Sequence, residues 1–326
     1  MIHLRIVVPG PKSERVVGLL EASPSVSSLA RIEGASLKPA GDLVLCDIAR
    51  EDASVVIADL RELDIPAEGS ISIEEIDSQL SSAAERAERA APGSSGDSVV
   101  WEEVEARTSE NIELNANFLA FMVIACLIAS VGVMLGQPIL IVGAMVVGPE
   151  SGPLAGICVA LVQRRPDLGL RSLRALAVGF PVGITGAFLF SLFAKWTDLV
   201  GGGFVVGERP LTAFISEPST FSFLVALFAG TAGVLSLTSA KSGALIGVLI
   251  SVTTIPAAAA IGVAAAFGDW SDWRGAIAQL AINLTAIVIA GVATLLVQNR
   301  VYERRRRAHH GDDSRAAGGL PTGRRA

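Results

Sequence analysis

A carboxylate stands between two prolines in the middle of an apolar stretch that is long enough to cross a membrane. The stretch covers residues 138–163, and residues 148–153 at its centre have the sequence GPESGP. In lipid, each backbone N–H or C=O group without a partner costs several kcal/mol, so an interrupted span is tolerated only where it contacts protein or a water-filled cavity. This string therefore predicts an integral membrane protein with a polar site near the middle of the bilayer.

Glu150 is the only acidic side chain inside any apolar span of the chain. A charge at the bilayer centre costs about 3 kcal/mol on insertion scales and more in simulations. We therefore expect the carboxyl group to be protonated, or to be paired with a cation or with the N-terminus of a half-helix. The alternative is a kinked helix in which neighbouring backbone groups satisfy Glu150.

A second interruption is predicted in the sequence ALIGVLISVTTIPAAAAIGVA, at the corresponding place in the second half of the chain. Each half then has a span, a tight turn, a span broken in its middle and a third span, so the second half is an inverted copy of the first. Interrupted segments at matching places in inverted halves indicate a transporter binding site. The ion- or solute-binding residues that we predict are Pro149, Glu150, Ser151, Thr253, Thr254, Pro256 and Asn283. Asn283 has an alternative role as a hydrogen-bonding contact between helices.

Composition supports a membrane protein joined to an acidic soluble part. The 326 residues are 51% hydrophobic and 18% charged, with a mean hydropathy of +0.55. Residues 1–117 contain 10 Lys and Arg against 22 Asp and Glu, whereas residues 118–326 contain 16 against 10. No basic, aromatic-rich surface is indicated, so nucleic acid is not an expected partner. Three cysteines and three histidines, none of the histidines within a span, predict no metal site and no cofactor.

Six spans are predicted from length and apolarity, each sufficient for a hydrocarbon core of about 30 Å. They cover residues 117–135, 138–163, 172–195, 220–238, 242–267 and 275–298. The arginines at 164–174 and 300–307, with Lys241, fall on one side if every segment crosses fully, which places both termini in the cytoplasm. A re-entrant hairpin at 138–163 would put the arginines at 164–174 outside, so a crossing, broken helix is favoured.

The soluble part is predicted to be a ferredoxin-like α/β domain over residues 1–77. Strands at 2–8, 28–36, 41–48 and 71–76 and helices at 12–22 and 51–63 follow the order βαββαβ. Residues 78–116 are expected to be a linker with a largely solvated juxtamembrane helix, residues 117–300 the membrane domain, and residues 301–326 a basic, disordered cytoplasmic tail.

Three runs in the membrane domain resemble a family of bacterial and archaeal membrane proteins. They contain Gly-Ala-Met at 143–145, Ala-Gly-x-Ala-Gly-x-x-Ser-Leu-Thr at 229–238 and Asn-Leu-x-Ala-Ile at 283–287. These are similar to the uncharacterised hydrophobic domain, domain of unknown function 389, over about residues 100–300. The resemblance implies a multi-pass protein of a prokaryotic plasma membrane, without an established substrate. The family usually has an apolar residue where Glu150 stands, and two adjacent prolines where this chain has Ile255-Pro256. A role carried over from the family therefore applies better to the two backbone breaks than to the carboxylate of Glu150.

The function that we predict is a transporter or channel for a small ion or solute, as a homo-oligomer in contact with membrane lipid. The alternative is a membrane-anchored sensor or scaffold whose cytoplasmic domain binds a regulator or partner, with no transport. Enzymatic activity is not expected, because no span contains a histidine that would activate a serine and no Gly-rich phosphate loop with Lys-Ser/Thr is present. A serine–lysine pair from Ser239 or Ser242 with Lys241 is conceivable, but an orientation charge explains Lys241 more simply.

Overall fold

The computed structural model describes residues 1–76, 78–91, 99–200, 215, 218–239 and 254–322. These residues form two compact units. The N-terminal unit consists of Met1–Val104 and Gln298–Ala326, with Thr238–Ala240, and the helical unit consists of Glu105–Leu237 and Lys241–Val297. The predicted site residue Thr253 and the first part of the span predicted at 242–267 lie outside the described residues.

The N-terminal unit contains a four-stranded antiparallel sheet with strand order β2-β3-β1-β4. The strands and the helices that follow them are β1 (Ile2–Val8), α1 (Gly10–Glu21), β2 (Val26–Leu37), β3 (Ala40–Ile48), α2 (Arg50–Glu62), α3 (Ile65–Glu68) and β4 (Ser70–Glu75). Each predicted strand and helix is found within a few residues of its expected bounds, because the alternation of apolar residues is unambiguous there.

One face of the sheet builds the core of this unit. Ile2, Leu4 and Ile6 alternate along β1 and are fully buried, as expected for a strand with one covered face. They pack with Leu20 of α1 and Leu60 of α2 in a single apolar cluster. The two helices therefore cover the same face.

The segment after the sheet is more ordered than the predicted linker. It contains α4 (Ser82–Ala90), whose N-terminus is capped by Ser81, and α5 (Trp101–Asn111). Val100, Trp101 and Val104 are at most 6% exposed, whereas the sequence predicted a solvated helix. The backbone N–H of Trp101 donates to Ser54 Oγ of α2 at 2.9 Å, which fixes the start of α5.

The helical unit is built from long apolar helices. They are α6 (Ala116–Leu135), α7 (Pro138–Val147), α8 (Ser151–Gln163), α9 (Pro166–Trp196), α10 (Thr220–Thr238), α11 (Thr254–Phe267) and α12 (Trp270–His309). The last part of α12, from Gln298 onward, belongs to the N-terminal unit. By length and composition, α6, α9, α10 and α12 could each cross a membrane, and α7 with α8 form a fifth candidate bent by 56°. The described residues thus provide four or five candidate spans of the six predicted. At 14 residues, α11 alone is too short for the same test.

Small residues allow the helices of this unit to approach closely. A Cβ at Gly179 of α9 would lie 2.8 Å from a ring carbon of Phe118 in α6, and one at Gly262 of α11 would lie 2.8 Å from the carbonyl oxygen of Ile184 in α9. Nearly all of α11 is buried, as expected of a helix that is apolar on every side.

The C-terminal segment differs from the expected disordered tail. α12 continues as a helix through the arginine block to His309, and a short helix α13 (Asp313–Ala317) follows. Arg315 is 1% exposed, and Leu320 belongs to the apolar core of the N-terminal unit. Charge composition predicts disorder only when the charges lack partners, and here acidic residues of α2 supply them.

Candidate functional site

The first predicted interruption separates α7 from α8. α7 ends at Val147, the backbone of Gly148 is extended (ψ 127°), and α8 begins at Ser151. Pro149 and Pro153 have no N–H, so the helical hydrogen bonds that these two positions would donate cannot form. The 56° bend between the two helices follows from these missing bonds.

Glu150 occupies the N-cap position of α8 but does not cap that helix with its side chain. Instead, its Oε1 accepts a hydrogen bond of 2.7 Å from the hydroxyl group of Thr254, the first residue of α11. Both side chains are fully buried. This contact joins residues that are 104 positions apart in sequence and connects the two predicted interruptions.

Gly148 permits this contact. A Cβ at position 148 would overlap the second carboxylate oxygen of Glu150 and would lie 2.7 Å from Cγ1 of Ile255. The φ and ψ angles of Gly148 (−63°, 127°) suit any residue, so the requirement for glycine is steric. The sequence analysis did not single out Gly148, although its position beside Pro149 was a usable signal.

The surroundings of the Glu150–Thr254 contact are apolar. Ile255 belongs to a buried cluster that also contains Cys126 of α6, Ala144 of α7 and Leu154 of α8. A buried carboxyl group in such a place is costly unless it is hydrogen-bonded. The hydroxyl group of Thr254 meets part of that requirement.

The remaining predicted site residues have different environments. Pro149 and Ser151 are partly exposed beside Glu150, and Pro256 is buried in the first turn of α11, where a proline can be accommodated. Asn283 is fully buried in α12, and its Oδ1 accepts a hydrogen bond of 3.1 Å from Nε2 of Gln279, one turn earlier. Gln279 is a second buried amide that the sequence analysis missed, because a glutamine in an apolar helix gives no periodic signal.

The N-terminal unit contains a second concentration of buried polar groups, which the sequence analysis also missed. We call it the ionic cluster. It consists of Asp52, Asp59 and Glu62 on α2 with Arg305, Arg306, His309, Asp312 and Arg315 from the C-terminal segment. The three acidic residues follow one another at spacings of seven and three, which places them on one face of α2.

Asp59 is the centre of the ionic cluster. It is 1% exposed and contacts both Arg315 and Nε2 of His309, the latter at 2.7 Å. Arg315 also donates to Glu62 at 2.7 Å, and Arg305 donates twice to Asp52, at 2.7 and 2.9 Å. The C-terminal segment is thus bound to α2 through several charge-assisted hydrogen bonds.

Two pKa values in the cluster are shifted by these contacts. Burial opposes a charge on His309, but the hydrogen bonds and charges of Asp59 and Asp312 outweigh burial and raise its pKa. For Glu62, burial acts toward a higher pKa, but the hydrogen bonds and charges of Arg315 and Arg306 lower it. Both shifts favour the charged forms that the cluster contains. Within the described ranges, no group of three or more His, Cys, Asp or Glu side chains is arranged to hold a metal ion.

Comparison with known proteins confirms the family resemblance of the membrane domain. Residues 145–289 match the model of the family described as "Domain of unknown function (DUF389)". An uncharacterised protein of the archaeon Methanocaldococcus jannaschii is 23% identical over 198 residues, which cover 59% of this chain and 58% of that protein. The chain therefore matches little more than half the length of this relative. No solved structure matches the chain.

Proposed function

We propose that this protein is an integral membrane transporter or channel for a small ion or solute, with its site where the two interrupted segments meet. The observation that supports this proposal is the hydrogen bond of 2.7 Å between Thr254 and Glu150, inside the helical unit and away from solvent. Broken helices that meet at mid-membrane form the binding sites of several transporter folds.

In this proposal Glu150 binds a proton or a cation. An ionisable side chain among apolar helices is costly and generally marks an ion or substrate pathway. Pro149 and Ser151 remain partly exposed beside the buried carboxyl group, so a ligand could approach from their side. The proposed set of ligand-binding residues also includes Thr253, Thr254, Pro256 and Asn283.

The proposed topology has six spans, both termini in the cytoplasm of a prokaryotic cell, and an inverted repeat of three spans. The length of α11 supports the second broken span, because its 14 residues extend over only about 21 Å at about 1.5 Å per residue. The rest of the span predicted at 242–267 lies outside the described residues. For the soluble part, the strand order β2-β3-β1-β4 with antiparallel pairs supports a ferredoxin-like domain.

Lipid is a proposed partner of the helical unit. Large apolar side chains are more than half exposed on its helices, among them Ile139, Val146, Leu189, Phe228 and Ile289. Contiguous exposed apolar surface is rare on soluble proteins and marks contact with a membrane or a partner. We also propose that the protein forms a homo-oligomer and that its function involves no enzymatic step and no cofactor.

The proposal is tested by flux measurements on Glu150→Gln in liposomes. We expect the variant to lose proton or cation flux, because glutamine fills the same space but cannot exchange a proton or carry a charge. The matched control is Glu113→Gln, which makes the same chemical change at an exposed position and should retain flux. Unchanged flux in a folded Glu150→Gln protein would remove Glu150 from the mechanism.

The alternative function is a membrane-anchored sensor or scaffold. The ionic cluster favours this alternative, because it is a buried set of charged contacts within the N-terminal unit. The wild-type flux assay separates the two functions. If liposomes with the wild-type protein carry protons and monovalent cations no faster than empty liposomes do, the sensor or scaffold is favoured.

A further inference from the structure

His309 has an unusual pair of partners for a histidine. Its Nε2 lies 2.7 Å from Oδ2 of Asp59, and its Nδ1 lies 2.8 Å from Oδ2 of Asp312. An ionised carboxylate only accepts hydrogen bonds, whereas a neutral imidazole has one N–H and one lone pair. Both contacts are therefore favourable only when the ring carries two protons. His309 is 5% and Asp59 1% exposed, so water cannot easily replace the contact between them, whereas the carboxylate of Asp312 is half-exposed.

The charges around His309 come close to balance when the ring is protonated. The ionic cluster that contains His309 has four carboxylates and three guanidinium groups, namely Asp59, Glu62, Asp52 and Asp312 with Arg305, Arg306 and Arg315. These are four negative and three positive groups, so a protonated His309 makes four of each. The neighbouring pair of Arg61 and Glu102 adds no net charge, and Arg15 of α1 donates to the backbone oxygens of Gly318 and Gly319. Burial raises the pKa of Tyr302 of α12, which favours its neutral form.

We propose that His309, with Asp59 and Asp312, is a proton-binding site that controls whether the last part of the C-terminal segment, residues 309–322, stays bound to α2. With the proton bound, both carboxylates have a donor and the segment is held. Once the proton is lost, one carboxylate faces a lone pair inside a partly buried cluster, and the segment is released. The site lies at the end of α12, the helix that also contains Asn283.

The direction of the pH response follows from the pKa shifts. The pKa of His309 is raised in the folded protein, so its contribution is complete below the pKa of an unfolded histidine and is lost as pH rises through the folded value. The pKa of Glu62 is lowered, so its contribution is present above its unfolded value and is lost only as pH falls through the lower folded value. The segment is therefore held from mildly acidic to neutral pH, is weakened only in strong acid, and is released by alkali.

Distance measurements on the full-length protein in lipid nanodiscs test the proposal. Spin labels at Glu21 of α1 and Ala316 of α13, both exposed, report the position of the segment by pulsed electron resonance. The three native cysteines are buried and compete little for the label. We expect a narrow distance distribution at about pH 6 that broadens as the pH is raised toward about 10, because the pKa of His309 lies above the ordinary histidine value. Labels at Glu21 and Glu74, both outside the segment, report whether the sheet domain stays folded.

Two variants separate a proton switch at His309 from a general effect of alkali. His309→Gln should give the broad distribution at every pH, and His309→Arg, which is always charged, should stay narrow throughout. His310→Gln is the matched control, since the ring of His310 contacts the backbone oxygen of Arg306 in the last turn of α12, and this variant should respond as the wild type does.

The proposal has a decisive counter-result. The ring protons of only three histidines can be followed by NMR in the same sample, and the His309 signal is assigned through the variants. A wild-type distance that stays narrow after His309 has lost its proton overturns the proposal, and so does a His309→Arg distance that broadens along with the wild type. If His309→Gln does not fold, the wild-type titration alone still decides.

Discussion

The Glu150–Thr254 contact and the ionic cluster are two ways of placing a carboxylate inside a protein. Glu150 lies among apolar helices and is hydrogen-bonded by a hydroxyl group. Asp59, almost equally buried, contacts a guanidinium group and a histidine. Opposite charges compensate a buried carboxylate better than a hydroxyl group does, so the contacts of Asp59 should contribute more to stability than the contact between Thr254 and Glu150. In the proposed function Glu150 binds and releases a proton or a cation, whereas the contacts of Asp59 hold the C-terminal segment against α2.

The comparison predicts that removing the central carboxylate of the ionic cluster has the largest effect on stability. Asp59→Ala leaves Arg315, which is 1% exposed, and His309 without their main anion. Breaking a buried ion pair from one side typically costs about 3–5 kcal/mol. We expect the free energy of unfolding of the N-terminal unit to fall by that amount, measured by denaturant titration.

Glu74→Ala is the control for this prediction, because Glu74 is an exposed carboxylate of β4 and its loss should cost less than about 0.5 kcal/mol. If Asp59→Ala lowers the free energy of unfolding no more than Glu74→Ala does, the cluster contributes no net stability. The contrast with Glu150 would then disappear.

A smaller effect is expected from filling the space beside Glu150. Gly148→Ala places a methyl group where the carboxylate now lies and against Ile255, so either the side chain or the backbone must move. Overpacking of this kind typically costs about 1–3 kcal/mol. The measurement is thermal unfolding of the purified protein in detergent, together with the flux assay, which should lose activity if Glu150 is displaced.

Gly143→Ala supplies a matched control on the same helix. No atom lies within 4 Å of a Cβ at position 143, and alanine favours a helix over glycine by up to about 1 kcal/mol. This variant should therefore be neutral or slightly stabilised, with normal flux. Equal behaviour of the two alanine variants would show that the space at Gly148 is not limiting.

Most of the fold was predictable because its signals are local. The strand at Ile2–Val8 and the helix at Ala116–Leu135 begin and end within a residue of their predicted bounds, since alternation and continuous apolarity each determine one structure. The interruption at Gly148-Pro149 was predictable for the same reason, because proline lacks the N–H that a helix needs.

The ionic cluster was not predictable, because its signal is distributed over the whole chain. Asp59 and Arg315 are 256 positions apart, and neither has a sequence context that indicates a partner. The basic composition of the C-terminal segment favoured disorder, and the acidic face of α2 resembled a solvated surface. Only the fold brings these charges together. For the same reason, the matched interruptions suggested that Glu150 and Thr254 share a site, but their hydrogen bond became visible only in the folded chain.

The smallest of the expected effects measures the hydrogen bond of Glu150 directly. Thr254→Val keeps the shape of the side chain and removes the hydroxyl group that donates to Oε1. Leaving a buried acceptor without this donor should cost about 1–2 kcal/mol, less than the loss of Asp59, because a hydroxyl group compensates a carboxylate only in part.

Thr254→Ser retains the donor and should keep the flux and most of the stability. Thr285→Val, in which the lost hydroxyl group is exposed and contacts a backbone oxygen of its own helix, controls for the general effect of the substitution. If Thr254→Val and Thr285→Val were equally stable and equally active, Glu150 would not depend on Thr254. The two interruptions would then be neighbours in the fold without forming a common site.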